Sequence, residues 1–186
     1  MGKKETTLTQ EEKEFFMREA IAEAKKAEGL AEVPIGAVIV RKGEIIGRGH
    51  NPVSYKHLRA HETCVREARQ EATAHAEMYA IQEACRGIEN WRLEETQLFV
   101  TLEPCPMCSG AMLLARIPEV YYGATDPKAG TAGTLMNLLE DERFNHVAYV
   151  EAGVLEEECR LLLVQFFKKL RAKKKEEKLL KNQKKD

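Results

Sequence analysis

No run of about 18 consecutive apolar residues occurs in this chain, so the sequence offers no membrane-spanning helix. The stretch MGKKETTLTQ lacks the apolar core of a secretory signal, which makes the cytosol the expected compartment. Gly2 followed by Lys3 and Lys4 is a poor lipid-attachment signal, even with Thr6 at the required place. No internal repeat at solenoid periods is present, which sets aside repeat architectures. Cysteines are few, five in 186 residues, and two of them form a C-x-x-C pair. In a chain expected to be cytosolic, that usage points to metal or redox chemistry instead of a disulfide framework.

What is there describes one ordinary globular domain over residues 1–186, with 44% hydrophobic and 32% charged residues. The formal net charge of −1 hides an asymmetry. Ten Lys or Arg against three Asp or Glu lie between Lys168 and Asp186, a local +7 that leaves about −8 on the preceding residues. A basic helical tail at 168–186 is expected, able to track phosphates or simply to be solvated.

Element signals alternate along the chain. Thr9 and Glu12 form a capping box, and Met17, Ala20, Ile21 and Ala24 recur at helical spacing, which predicts a helix to about Ala27. PIGAVIV and EIIGRGH flank Lys42-Gly43 as a hairpin. A second helix is predicted from about Thr73 through Cys85, TQLFVTLE as a buried strand, and a third helix from Pro106 to about Arg116. EVYYGA reads as a strand, GTLMNLL as a short helix, HVAYVEA as the last strand, and Glu156 to about Lys175 as a closing helix. This order implies an α/β fold: a three-layer α/β/α sandwich with a five-stranded mixed sheet, antiparallel at the hairpin and parallel where helices cross over.

The chemistry sits at two helix starts. Cys105 and Cys108 are three apart on a first helical turn, where both sulfurs can reach one ion and the helix N-terminus favours thiolates. His75 at the other helix start supplies a nitrogen ligand. Three protein ligands leave a fourth zinc position open to water, the pattern of a catalytic site. Glu77 does not share a helical face with His75, so it is a poor ligand but can lie beside the metal as a proton shuttle. His75, Glu77, Pro104, Cys105 and Cys108 together make the H-x-E and P-C-x-x-C pattern of zinc-dependent hydrolytic deaminases.

The blocks EVPIGAVIV, RGHN, AHAEM, WRLEETQLFVTLEPCPMCSGAM, YYGATDPKAGTAGTLMNLL and RFNH resemble the bacterial tRNA-specific adenosine deaminases, in the same order. The likeness spans roughly Phe15 to Lys173 apart from one segment. It implies a cytidine-deaminase-like fold, one zinc ion per subunit, a homodimer, and conversion of the wobble adenosine (position 34) of a tRNA anticodon stem-loop to inosine. By the same resemblance, Asn51 would hydrogen-bond the target nucleotide and the backbone around Ala76 and Pro104 would read the base edge. Asp126 and Lys128 would lie beside the flanking nucleotides, and the end of the last helix, near Phe166 and Phe167, close to RNA. A strand-ending Asn51, an Asp126 that only turns the chain, and a Phe pair packed in the core are the plainer alternatives.

One segment stands outside the likeness. Asn51 and His75 are separated by 23 residues, about a dozen more than in the family's loop, so PVSYKHLRAHETCV reads as an insertion near 52–66. Within it His57, His61 and Cys64 have helical spacing suited to zinc. With the catalytic set complete without them, a surface loop or short exposed helix is the expected reading. Cys85 and Cys159 are expected as buried small hydrophobes, and His50 as local structure. Two other functions compete: a zinc deaminase of a free base or nucleotide of guanine or cytosine type, and a non-catalytic zinc-containing RNA-binding module.

Overall fold

The computed structural model describes Thr6, residues 8–52 and residues 72–183. The elements are α1 (Gln10–Gly29), β1 (Gly36–Arg41), β2 (Glu44–His50), α2 (Ala76–Gly87), β3 (Thr96–Leu102), α3 (Pro106–Leu114), β4 (Glu119–Ala124), β5 (Tyr149–Ala152) and α4 (Glu156–Gln183). The strands form one five-stranded sheet in the order β2-β1-β3-β4-β5. β1 is antiparallel to both β2 and β3, whereas β3, β4 and β5 run parallel.

Period-two alternation sorts the core into two faces. Ala37, Ile39, Leu98, Val100, Val120 and Tyr122 face α2 and α3, where they meet Ala80, Ala84, Cys108 and Met112. Their strand neighbours Val38, Val40, Phe99 and Tyr121 face the other way, against Phe16, Met17, Ala20 and Ile21 of α1 and Cys159 of α4. The result is the expected three-layer α/β/α sandwich.

Helix starts and turns follow local chemistry. Thr9 accepts the Glu12 N–H, and the Glu12 carboxylate accepts the Thr9 N–H in return, closing the capping box of α1. Lys42 and Gly43 both take positive φ, 53° and 80°, and Arg41 pairs with Glu44. That is the two-residue hairpin whose twist matches its strands.

Missing side chains set how closely α2 approaches the sheet. A Cβ at Gly47 would lie 2.3 Å from the Ala80 carbonyl oxygen, and one at Gly49 only 2.0 Å from that of Ala76. The backbone of α2 therefore lies directly on β2, with Ala76, Ala80 and Ala84 filling the contact.

Three expectations are corrected. α2 begins at Ala76, not Thr73, because the Thr73 carbonyl takes the His75 N–H in a turn and leaves His75 as the N-cap. GTLMNLL is not helical: Ala132 bridges to Asn137, and the Gly133 N–H donates to the Met136 carbonyl. Only Leu139 of its apolar residues is buried, while Leu135 and Met136 are exposed. α4 runs unbroken to Gln183, so the closing helix and most of the basic helical tail are one element. Cys159 is buried as anticipated, but Cys85 is only half-buried, with its thiol toward the Trp91 carbonyl. The 52–66 segment, with His57, His61 and Cys64, lies outside the described residues apart from Pro52.

Candidate active site

Two helix N-termini converge on one point. His75 caps α2 and Cys105 caps α3, both in extended backbone conformation, with Pro106 in the first turn of α3. Neither side chain makes a capping hydrogen bond; the Cys105 sulfur engages Cys108, and the imidazole of His75 is turned toward both sulfurs. The His75 Nδ1 lies 3.6 Å from Cys105 Sγ and 3.5 Å from Cys108 Sγ. One ligand atom from each of the three residues falls within 4.8 Å of the others, the one such His/Cys/acid group among the described residues. Two sulfurs and an imidazole nitrogen form a donor set that could hold a metal ion.

The electrostatics separate the two thiols. The hydrogen bond from Cys108 lowers the Cys105 thiol to about 4, with burial opposing and His75 assisting. The Cys108 thiol is driven up by that same bond, by burial and by the nearby Glu77 charge. His75 is raised by its bond to Cys105, against the effect of burial.

Glu77, in the first turn of α2, is 4% exposed, and its carboxyl interacts with the Cys108 thiol. Burial raises its proton affinity above the usual carboxylate range. It is placed against the ligand group without being part of it.

The remaining sequence candidates are distributed around this centre. Asn51 follows β2, and its Oδ1 accepts the Ala76 N–H at 3.1 Å, so it satisfies an otherwise unpaired donor at the start of α2. The Asn51 N–H donates to the Ile35 carbonyl. The Pro104 carbonyl accepts both the N–H and the hydroxyl of Thr131, at 2.9 and 3.1 Å. Asp126 closes its own turn, accepting the N–H groups of Lys128 and Ala129, and the Lys128 residue is exposed. His50 donates to or accepts from the buried Glu23 at 3.1 Å, while His146 meets the Ile117 carbonyl, so both belong to the framework. Phe166 is buried and Phe167 is 40% exposed.

Sequence reading passed over Glu103. It is 2% exposed at the end of β3, and its carboxylate accepts from Asp126, Ala132 and Thr134. The available signal was an acidic residue closing an apolar strand just before Pro104 and Cys105, with the small-residue run AGTAGT downstream.

The deaminase class is shown first by family and fold. A model of the MafB19-like deaminase family matches residues 11–171. A solved tRNA:A34 deaminase, studied for A-to-I editing at the wobble position of transfer RNA, superposes with a TM-score of 0.68 at 38% identity. That match covers 80% of this chain and 99% of the other. Guanine deaminase from Bacillus subtilis gives a TM-score of 0.51 at 36% identity, covering 65% of this chain and 69% of that one. Among curated relatives, the tRNA-specific adenosine deaminase of Bacillus subtilis (strain 168) is 56% identical over 168 residues, 90% of this chain and 95% of its own length. That of Aquifex aeolicus (strain VF5) is 45% identical over 159 residues, 86% of this chain and 96% of its own. The chain belongs to the family of tRNA-specific adenosine deaminases.

Proposed function

We propose that this protein hydrolyses the wobble adenosine (position 34) of a tRNA anticodon to inosine, with Glu77 as the proton-transfer residue and zinc held by His75, Cys105 and Cys108. The observation that carries the reading is a buried carboxyl set against a three-donor group that it does not join. Zinc suits the donor spacing: bonds of ~2.3 Å to sulfur and ~2.05 Å to nitrogen at the tetrahedral angle put sulfur and nitrogen about 3.6 Å apart. The separations here are 3.6 and 3.5 Å. Zinc, when bound, lowers the pKa of a water to about 7, which makes hydroxide available at neutral pH.

The chain's own part is proton management. Shielded from bulk water, Glu77 takes a proton from the attacking water and gives it to a ring nitrogen, then takes the remaining proton of the newly attached hydroxyl and delivers it to the departing amine. The water oxygen joins C6 of adenine, the C–N bond breaks, and ammonia leaves. Asn51 holds the target nucleotide while bonded to Ala76, and Ala76 and Pro104 wall the base edge. Asp126 and Lys128 meet the flanking nucleotides. An anticodon loop is the suitable substrate because its bases are splayed at least cost.

The exposed cations of α4 from Lys168 to Lys175 support an RNA partner by attracting phosphates. No described helix is long and apolar enough to cross a membrane. The reading extends to a homodimer working in the cytosol, where its tRNA substrate is found. The exposed Leu114 at the end of α3 is available to such a contact.

The test compares turnover of a tRNA bearing wobble adenosine with free guanine, cytosine and adenosine, using intact protein and Glu77→Ala. Inosine formation in the tRNA, abolished in Glu77→Ala, is the expected result. Preferential turnover of guanine would replace the tRNA reading with the one favoured by the guanine deaminase likeness. Full activity in Glu77→Ala would overturn the proton-transfer role.

A further inference from the structure

The connection from β4 to β5 makes a parallel crossover without a helix, so something other than helical hydrogen bonding must set its course. Its first part, residues 126–134, folds around a single carboxylate. Oε1 of Glu103 accepts the N–H groups of Ala132 and Thr134 at 3.0 and 2.9 Å. Oε2 accepts the Asp126 N–H at 3.0 Å and also the Thr134 hydroxyl. All four donors are neutral, and the charge on the acceptor strengthens each bond. Gly130 is seated on the same group: a Cβ there would lie 2.2 Å from Oε2 and 2.3 Å from Cδ of Glu103.

The neighbouring residue continues the clasp. Thr131 donates twice to the Pro104 carbonyl, and its hydroxyl lies 2.9 Å from that of Ser109, within α3. One continuous piece of chain, Glu103 to Ser109, thus carries the two cysteine ligand candidates and the fastening of the 126–134 loop. A shift of that loop would move Asp126 and Lys128 without any change in Cys105 or Cys108.

We propose that Glu103 is a positioning residue that fixes the 126–134 loop relative to the Cys105–Cys108 turn, and so governs engagement of the nucleotides flanking the target base. It rests on the tRNA reading for the identity of the substrate, but not for the clasp itself. Glu103 touches neither the substrate nor the ligand group; its action passes through the loop.

The experiment uses the full chain with Glu103→Gln and Gly130→Ala, singly and together, and Thr134→Val as a milder change that deletes one donor. Glu103→Gln puts an amide donor where a carboxylate oxygen faces N–H and O–H donors. Zinc content by mass spectrometry is expected to equal wild type, while amide hydrogen exchange quickens at 126–134. For tRNA, KM is expected to rise ~10-fold with kcat within ~3-fold, the pattern of lost uniform binding. The double variant should be no worse than either single one, because both break the same contact.

Loss of zinc with a fall in kcat and an unchanged KM would overturn the proposal, placing Glu103 in support of the metal turn. Unchanged exchange in Glu103→Gln and Thr134→Val would equally overturn it. If Glu103→Gln does not fold, the exchange and KM of Thr134→Val decide the matter. Failure of the tRNA reading is seen separately, as absence of tRNA turnover in wild type, and the exchange comparison still judges the clasp.

Discussion

Gly49→Ala is the sharpest probe of how the fold holds the site. A Cβ at this position would meet the Ala76 carbonyl oxygen at 2.0 Å and the Ala80 nitrogen at 2.7 Å, both backbone atoms with no rotamer to yield. Restoring an ordinary contact of 3.4 Å requires the start of α2 to move by about 1.4 Å from β2. His75 and Glu77 ride on that first turn. Overpacking of this kind costs ~1–3 kcal/mol, and a ~1 Å misplacement of reacting groups costs ~10²-fold in rate. The expected outcome is an unfolding free energy in urea lowered by that amount, with kcat on wobble-adenosine tRNA reduced about a hundredfold. Gly47→Ala is the control: it strikes the Ala80 oxygen at 2.3 Å, one turn further along, and should destabilise comparably with a smaller loss of kcat. Wild-type kcat and stability in Gly49→Ala would refute the idea that direct backbone contact between β2 and α2 places the site.

Other outcomes are expected from separate parts of the molecule. Removing metal with a chelator should abolish turnover and lower the melting temperature, since an ion that binds only the folded state stabilises it; added zinc should restore both. Glu23 is buried, which by itself raises its carboxyl, but hydrogen bonds and charge from Lys26, His50 and Arg48 outweigh this and hold it below the usual carboxylate value of 4.5. A depressed folded-state pKa contributes stability above 4.5 that is lost as pH falls through the folded value. Denaturation across acid pH should therefore show a steeper decline for wild type than for Glu23→Gln, whose acid limb is flatter. Thr9→Ala removes the side-chain half of the capping box on α1 and should cost ~1 kcal/mol in urea unfolding, with kcat unchanged.

The legible features were those in which a few neighbouring residues satisfy one another. The capping box, the Lys42-Gly43 hairpin and the Pro106 helix start are of this type, and all three form as local chemistry dictates. The ligand candidates were legible for a related reason: C-x-x-C at a helix start can present two sulfurs to one point whatever surrounds it. That the third donor, His75, comes to within 3.6 Å of both could be expected only from the pattern as a whole.

GTLMNLL marks where local reading fails. Its apolar residues have helical spacing, yet bonds from Ala132 and Thr134 to Glu103, and from Leu138 to Thr131, pull the backbone into turns. Donors committed to a partner about thirty residues away cannot build a helix. Glu103 itself was illegible because its role exists only once β3 and the 126–134 loop are side by side.

The sequence alone determined the helices and strands that form, GTLMNLL apart, together with the metal-ligand candidates and the separate place of Glu77, since each depends on residue chemistry at short spacing. Tertiary structure decided the rest: β1 between β2 and β3, α2 laid on Gly47 and Gly49, and the loop of Asp126 and Lys128 clasped by Glu103. These arrangements turn on backbone contacts and hydrogen bonds between distant segments, whose partners are chosen only when the sheet assembles.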